Sequence, residues 1–163
     1  MKIRAYEKTD LEKMRIIAPR AFMGLGLARF AIDGQLDRDR VSTYYSDEIG
    51  EYADKVERGD AIGILVCEEA GGIAGYIVVE VDGKNTDRFD VKWGRIVSLA
   101  VDPDYQAKGI GKSLVSRGLE WLSEREVEYV EVLTDQNNVA AQRVYESCGF
   151  RAIYASISYS RRL

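Results

Sequence analysis

The sequence predicts an α/β fold: one mixed central β-sheet flanked by helices, in the order β-α-α-β-β-β-α-β-α-β-β. Three observations support this. Short runs rich in Val, Ile and Tyr alternate with longer stretches whose apolar residues recur at helical spacing. Two of the short runs, residues 61–68 and 73–81, are separated by little more than Ala70, Gly71 and Gly72, which is hairpin chemistry. The 163 residues contain no repeat, linker or low-complexity segment, so a single domain over 1–163 is expected.

In order, residues 2–6 read as a short strand. Thr9 and Glu12 have the spacing of a capping box before Leu11, Met14, Ile17 and Ala18, the inner face of a first helix that Pro19 makes hard to end. Residues 20–39 read as loops around an apolar piece from Leu25 to Ile32. The Gly24, Gly26, Arg29 run opens like a dinucleotide fingerprint but lacks both the third small residue and a preceding strand. A second helix is expected over 40–58, with Tyr44, Ile49, Tyr52, Ala53 and Val56 inward. After the hairpin, 82–90 is a polar loop and 91–101 a strand. Ile110, Leu114, Val115, Leu119 and Leu122 form one face of a helix ending near Arg125. Residues 129–134 form a strand, 138–147 a helix stopped by Gly149, and 150–154 and 157–161 two last strands.

Composition narrows the chemistry. Apolar and charged residues at 46% and 31% are those of a globular protein, and a net charge of −4 argues against nucleic acid as a partner; Arg161 and Arg162 are the one basic pair near the end. No apolar leader and no 18-residue apolar run occur, so a cytoplasmic protein without a membrane partner is expected. Cys67 and Cys148 are expected as free thiols. With no histidine, acid–base work must fall to Glu, Asp, Tyr, Lys, Cys or water, and no metal site is expected.

The stretch from Arg95 to Trp121 is the most informative. A β-run (Ile96, Val97, Leu99, Val101) stops at Asp102 and Pro103, a polar loop follows, and Gln106 to Gly111 leads into a helix. Strand, glycine loop and helix together can cradle a phosphate: the loop gathers backbone N–H groups and the helix N-terminus adds unpaired donors and a positive dipole end. Gly111, Lys112 and Ser113 match the end of a nucleotide P-loop, but Gln106 stands where its first glycine belongs. Gly109 and Gly111 match a dinucleotide loop, but Leu114 replaces its third glycine. The third option is Q/R-x-x-G-x-G/A, which Gln106, Gly109 and Gly111 satisfy. With the strand from Val97 to Pro103, and with Asn138, Ala141, Tyr145, Gly149 and Phe150 in an N-x-x-A-x-x-x-Y-x-x-x-G-F segment about thirty residues on, the chain resembles the GNAT-type N-acetyltransferase superfamily over residues 61–163.

The resemblance implies acetyl-CoA as donor and a primary amine as acceptor. It implies that the strands at 91–101 and 129–134 are parallel neighbours that splay apart, the pantetheine arm pairing with the backbone of Leu99, Ala100 and Val101 as an added strand. A backbone N–H there would polarise the thioester carbonyl. The amides of Gln106, Ala107, Lys108, Gly109, Ile110, Gly111 and Lys112 would hold the pyrophosphate. Asn138 would cap its helix and reach the pantetheine, and Tyr145 would give a hydrogen bond to the departing thiolate. Glu131 is the candidate base, by likeness to the branch that acetylates protein N-termini, although the loop to Asn138 is about two residues longer here; Glu80, Tyr159 and a water chain are the alternatives. A peptide α-amine, with a pKa of about 7.7–8.0, needs less help than a lysine at about 10.4. The likeness around Glu131 and the ending from Tyr159 to Leu163 imply a protein or peptide N-terminus as the acceptor. The alternatives are a polyamine, amino acid or aminoglycoside, or a module that binds acyl-CoA without turnover. Oligomeric state stays open, a homodimer through the last strands being one option.

Overall fold

The computed structural model describes residues 1–24 and 29–163, and all of their side chains except those of Arg29 and Ile32. Strand β1 (Lys2–Ala5) leads through a 3-10 turn (Lys8–Asp10) into α1 (Leu11–Gly24), followed by α2 (Arg29–Ile32) and α3 (Arg38–Glu57). The hairpin β2 (Ile62–Glu69) and β3 (Gly72–Val81), helix α4 (Gly83–Phe89) and β4 (Trp93–Val101) come next. A 3-10 turn (Pro103–Tyr105), α5 (Ile110–Ser123), β5 (Tyr129–Val132) and α6 (Val139–Ser147) complete the order. The sheet runs β1-β2-β3-β4-β5, antiparallel except for the parallel β4–β5 pair. The mixed sheet predicted from sequence is therefore present.

Two apolar layers clasp it. Met14, Ile17 and Ala18 of α1 and Val41, Tyr45, Ile49 and Ala53 of α3 pack on one face with Tyr76 and Val78; Ile110, Leu114, Val115 and Leu122 of α5 and Tyr145 of α6 pack on the other with Ile77, Val79 and Ile96. Glycines set how close α5 lies. A Cβ on Gly63 would fall 2.5 Å from Trp121, and one on Gly118 would fall 2.9 Å from Ile77. The helix thus rests nearly on the strand backbones, which fixes where its N-terminus emerges.

A β-bulge shifts the register of β4. Val79 pairs with Ile96 and Val78 with Ser98, so Val97 is an extra residue. An extra residue inverts the alternation of side chains. Ile96 points to the α5 layer, whereas Ala100 points to the α1/α3 layer and Leu99 and Val101 point to the α5 layer.

Several elements differ from the sequence-based expectation, among them the end of α1 and helix α2 inside the loops expected at 20–39, and Tyr44, expected inward on α3 but exposed, with Tyr45 buried in its place. The box before α1 is built by Glu7 and Asp10, not by Thr9 and Glu12; the Glu7 amide donates to Asp10 at 2.8 Å, and Arg4 clamps the same carboxylate at 2.7 and 2.9 Å. Helix α1 continues through Pro19. Residues 83–89 are helical because Asp82 caps them, accepting from the Asn85 amide at 3.0 Å, and Asp90 ends them in the left-handed region. The last two strands do not form: residues 151–163 are irregular and exposed, with Ile157 at 76%. A strand preference is a preference for a half-buried pleated surface, and Ala155-Ser156 lacks the positive-φ residues of a tight hairpin. This segment meets the rest of the chain near Gln35, whose carbonyl accepts from the Arg162 amide at 3.2 Å. The Gly24 to Arg29 fingerprint lies partly outside the described residues.

Candidate active site

Pairing between β4 and β5 stops at Ile96 and Val132, but β4 runs on to Val101. Its other edge remains zipped to β3, from Ser98 opposite Val78 to Val101 opposite Gly75. Leu99 and Val101 therefore carry backbone groups on the β5 side with no strand to meet them, the condition for strand addition, whereas Ala100, also expected there, turns its backbone groups to β3, as Asp102 does two residues on. The bulge at Val97 lies just where β5 leaves.

Asp102 anchors the loop that follows. It is 1% exposed, ion-paired with Arg20 at 3.0 Å and Lys13 at 3.6 Å from α1, and it accepts from the Asp104 amide at 3.1 Å. Its own amide donates to the Ala74 carbonyl at 2.8 Å. The sequence reading took Asp102-Pro103 only as a strand break. An Asp directly before Pro is also the signature of a capped turn, and that was the available signal.

From there the chain turns through Ala107 (φ 61°) and Gly109 (φ 79°) into α5. The first intrahelical bond is Ser113 N–H to the Gly109 carbonyl at 3.1 Å. Among the described residues no protein group accepts from the amides of Ala107, Lys108 or Gly109, and those of Ile110, Gly111 and Lys112 precede the first intrahelical acceptor. Six donors thus converge at a fourteen-residue helix with no acidic residue in its first turn. Gln106, Ala107, Lys108 and Gly109 are exposed. The Gln106 side chain reaches back to the Val101 carbonyl at 3.4 Å, and Lys108 lies over the Tyr105 ring at 4.9 Å. The two glycines are glycines for different reasons. Gly109 needs its left-handed φ. Gly111 is helical, and a Cβ there would meet Val144 at an ordinary 3.6 Å, so the protein itself does not require glycine.

Asn138 caps α6, accepting from the Ala141 amide at 3.1 Å. Tyr145 projects from α6 with its ring buried and edge-on to Phe150, centroids 5.8 Å apart. Its hydroxyl has no hydrogen-bond partner among the described residues, and burial pushes its pKa up to about 12. Tyr145 lines a groove of about 570 Å³ along β5, with Glu131, Val132, Gln142 and Phe150. Glu131 is the register partner of Arg95, which lies 3.4 Å from Glu80 on β3. Two candidate bases therefore flank one arginine. Tyr159, another candidate, is 89% exposed on the irregular C-terminal segment.

Comparison with known proteins gives this geometry a context. The profile described as "Acetyltransferase (GNAT) family" matches residues 26–150. A mycothiol acetyltransferase from Saccharomonospora viridis is 33% identical over 104 residues, covering 63% of this chain and 34% of the relative. One from Thermobifida fusca is 35% identical over 101 residues, covering 60% and 31%. The chain spans about a third of the length of these relatives. Among solved structures, AAC(6')-Iy in complex with a CoA-S-monomethyl-acetylneamine bisubstrate analogue superposes with a TM-score of 0.68 at 17% identity, over 99% of this chain and 98% of that one. The putative acetyltransferase yncA from Salmonella typhimurium, solved with acetyl-CoA, superposes with a TM-score of 0.70 at 23% identity, over 99% and 87%. At these identities the superpositions establish the fold.

Proposed function

Because the chain belongs to the acetyltransferase (GNAT) family, we propose that it transfers an acetyl group from acetyl-CoA directly to a primary amine. The observation that carries this reading is the juxtaposition of six unpaired amides (Ala107 to Lys112) with the β4 edge that β5 leaves open at Leu99 and Val101. One fits a pyrophosphate and the other a pantetheine amide arm, in the order the coenzyme presents them. Gly111 supports the same ligand, since only an approaching group would object to its Cβ.

On this reading the amides from Ala107 to Lys112 hold phosphate oxygens, that of Gln106 being bonded instead to the Pro103 carbonyl at 3.4 Å, with Lys108 and Lys112 adding charge. Asn138 fixes the start of α6, which aims Tyr145 at the end of the β4–β5 gap. Tyr145 stays protonated through neutral pH, so it acts as a hydrogen-bond donor to the leaving thiolate. Such a bond to a charged group contributes about 1.5–3 kcal/mol. Glu131 is the candidate proton acceptor for the amine. Its neighbour Arg95 holds charge beside it, a position it shares with Glu80.

A small amine is the better supported acceptor. The named relatives and neighbours include enzymes for mycothiol and aminoglycosides. The peptide N-terminus rests on the likeness around Glu131 and on the ending from Tyr159 to Leu163, which is irregular and exposed. The deciding experiment is thiol release from acetyl-CoA with a panel of peptides, diamines, amino sugars and monoamines. Turnover with any of them supports the reading. Acetyl-CoA binding without turnover across the panel would favour a non-catalytic acyl-CoA module.

A further inference from the structure

Two carboxylates, Asp102 and Asp104, flank Pro103 just ahead of the amide loop, and both are tied to α1 on the opposite face of the sheet from α5. Lys13 and Arg20 are seven residues apart, so they lie on one stripe of α1. From that stripe Arg20 sends Nη1 to Asp102 Oδ2 at 3.0 Å and Nη2 to Asp104 Oδ2 at 2.9 Å. Lys13 reaches the same Asp102 oxygen at 3.6 Å. The other Asp102 oxygen accepts from the Asp104 amide at 3.1 Å. A planar guanidinium fork fixes two acceptors at once, which the single point charge of a lysine does not.

The turn held by this fork runs straight into the cradle. The Tyr105 amide donates to the Asp102 carbonyl at 2.8 Å, the Gln106 amide to the Pro103 carbonyl at 3.4 Å, and Lys108 lies over the Tyr105 ring at 4.9 Å. On the far side of the loop, α5 is fixed through the buried Ile110 and Leu114. Between these two anchors Ala107 takes φ 61°, a left-handed conformation that a Cβ disfavours. Such a conformation persists only where its surroundings hold it. Helix α5 holds one side, and the Arg20 fork holds the turn on the other.

We propose that Arg20 is a positioning residue for the coenzyme: by bridging Asp102 and Asp104 it sets the Ala107–Lys112 amides for the pyrophosphate, and so governs affinity for the phosphate part of CoA and not for the pantetheine arm. This rests on the coenzyme reading above and deepens it. Arg20 touches the turn and not the ligand, so it acts by pre-organising the loop. The arm meets the edge of β4, which is held by its pairing to β3 and does not depend on the turn. The fork adds little to overall stability, because the Arg20 and Asp104 side chains are 40% and 70% exposed and Lys13 stays with Asp102. Neutralisation of the two carboxylates beside a polyanion is the competing account, and it predicts the opposite result for a double variant.

The test is a calorimetric titration with CoA beside an NMR titration with S-acetylpantetheine, which has the arm and no pyrophosphate. Arg20→Gln should weaken CoA binding about tenfold while changing S-acetylpantetheine binding less than about twofold. Arg20→Lys, which keeps the charge and loses the fork, should recover part of the loss. Asp104→Ala should also weaken CoA, although it deletes a negative charge ahead of the loop. The double variant Arg20→Gln with Asp104→Ala should be no better than Arg20→Gln alone, as expected of two groups acting as one unit. Circular dichroism melts confirm that each variant is folded; if Arg20→Gln is not, Asp104→Ala, at an exposed position, carries the comparison of the two ligands. CoA affinity within about twofold of wild type in Arg20→Gln overturns the proposal, as does an equal loss for both ligands. Recovery of wild-type CoA affinity in the double variant overturns it in favour of charge neutralisation. A wild type that binds no CoA overturns the coenzyme reading itself, and the role of Arg20 with it.

Discussion

Gly111→Ala separates a glycine kept for the fold from one kept for a ligand. Gly111 is the second residue of α5, and its Cβ would meet Val144 at 3.6 Å and Val101 at 3.9 Å, ordinary contacts on both sides. Alanine exceeds glycine in a helix interior by about 0.8–1 kcal/mol, and by less in the first turn. For a chain of this size about 1 kcal/mol is about 2–4 °C of Tm. The variant should melt at the wild-type temperature or up to about 3 °C above it. On the proposed reading the methyl would crowd a phosphate bound at the Gly111 amide, so CoA affinity should fall at least tenfold, about 1.4 kcal/mol. Gly109→Ala is the contrast: at φ 79° it takes a left-handed penalty of about 1–2 kcal/mol and should lower Tm. Thermal melts by circular dichroism and calorimetric titration with CoA read both effects. Wild-type CoA affinity in Gly111→Ala would refute the phosphate cradle. A melting loss equal to that of Gly109→Ala would show that Gly111 serves the fold.

Tyr145→Phe should lower kcat about 10- to 100-fold, the equivalent of a 1.5–3 kcal/mol hydrogen bond, with acetyl-CoA affinity nearly intact; an unchanged kcat removes Tyr145 from the mechanism. Because burial raises the Tyr145 pKa to about 12, its protonated form should persist past pH 10, while the stability linked to that raised value is full below about pH 10, the unfolded value, and is lost progressively as pH rises from there through about 12. A tyrosine-dependent loss of rate near pH 10 would contradict this. Asp102→Asn should keep the cap on the Pro103–Tyr105 turn but lose the Arg20 and Lys13 pairs, whereas Asp102→Ala loses the cap too, about 1 kcal/mol more; a melting series in which the two coincide would show that the cap does nothing. Gly63→Ala should cost about 1–3 kcal/mol by overpacking against Trp121, and Trp121→Leu should rescue it; additive losses in the double variant would contradict the close contact.

What was readable in the sequence was what is encoded locally. The hairpin turn, the apolar face of α5, the Asn138 cap and the glycine stop at Gly149 each lie within a few residues of their cause, and each is present. The two motifs that marked the donor site were legible for the same reason: a loop of converging amides has to be written in consecutive residues. The misses depend on partners. Asp82 caps α4 within a run that composition alone marks as loop. The segments at 150–154 and 157–161 have strand composition, but a strand exists only against a neighbour. The buried Ser98 hydroxyl was unreadable because its partner, Tyr76, lies 22 positions away on another strand. Tyr44 and Tyr52 were foreseen only as a helix face.

The bulge at Val97 ties these levels together. Without it, β4 would keep one alternation throughout, and Ser98 would point with Ile96 toward α5. With it, the strand presents Trp93 and Arg95 toward the α1/α3 face before the break, and Ser98 and Ala100 toward that face after it. The extra residue also increases local twist, which steers β4 away from a straight β5 and opens the gap. Past the bulge, Leu99 and Val101 leave a free backbone edge on the β5 side, while the Ser98 hydroxyl turns to that of Tyr76, 3.5 Å away, on the α1/α3 face. A chain with the same composition but a regular β4 would keep its core and its loop, yet would direct the Ser98 hydroxyl into the α5 layer and away from Tyr76.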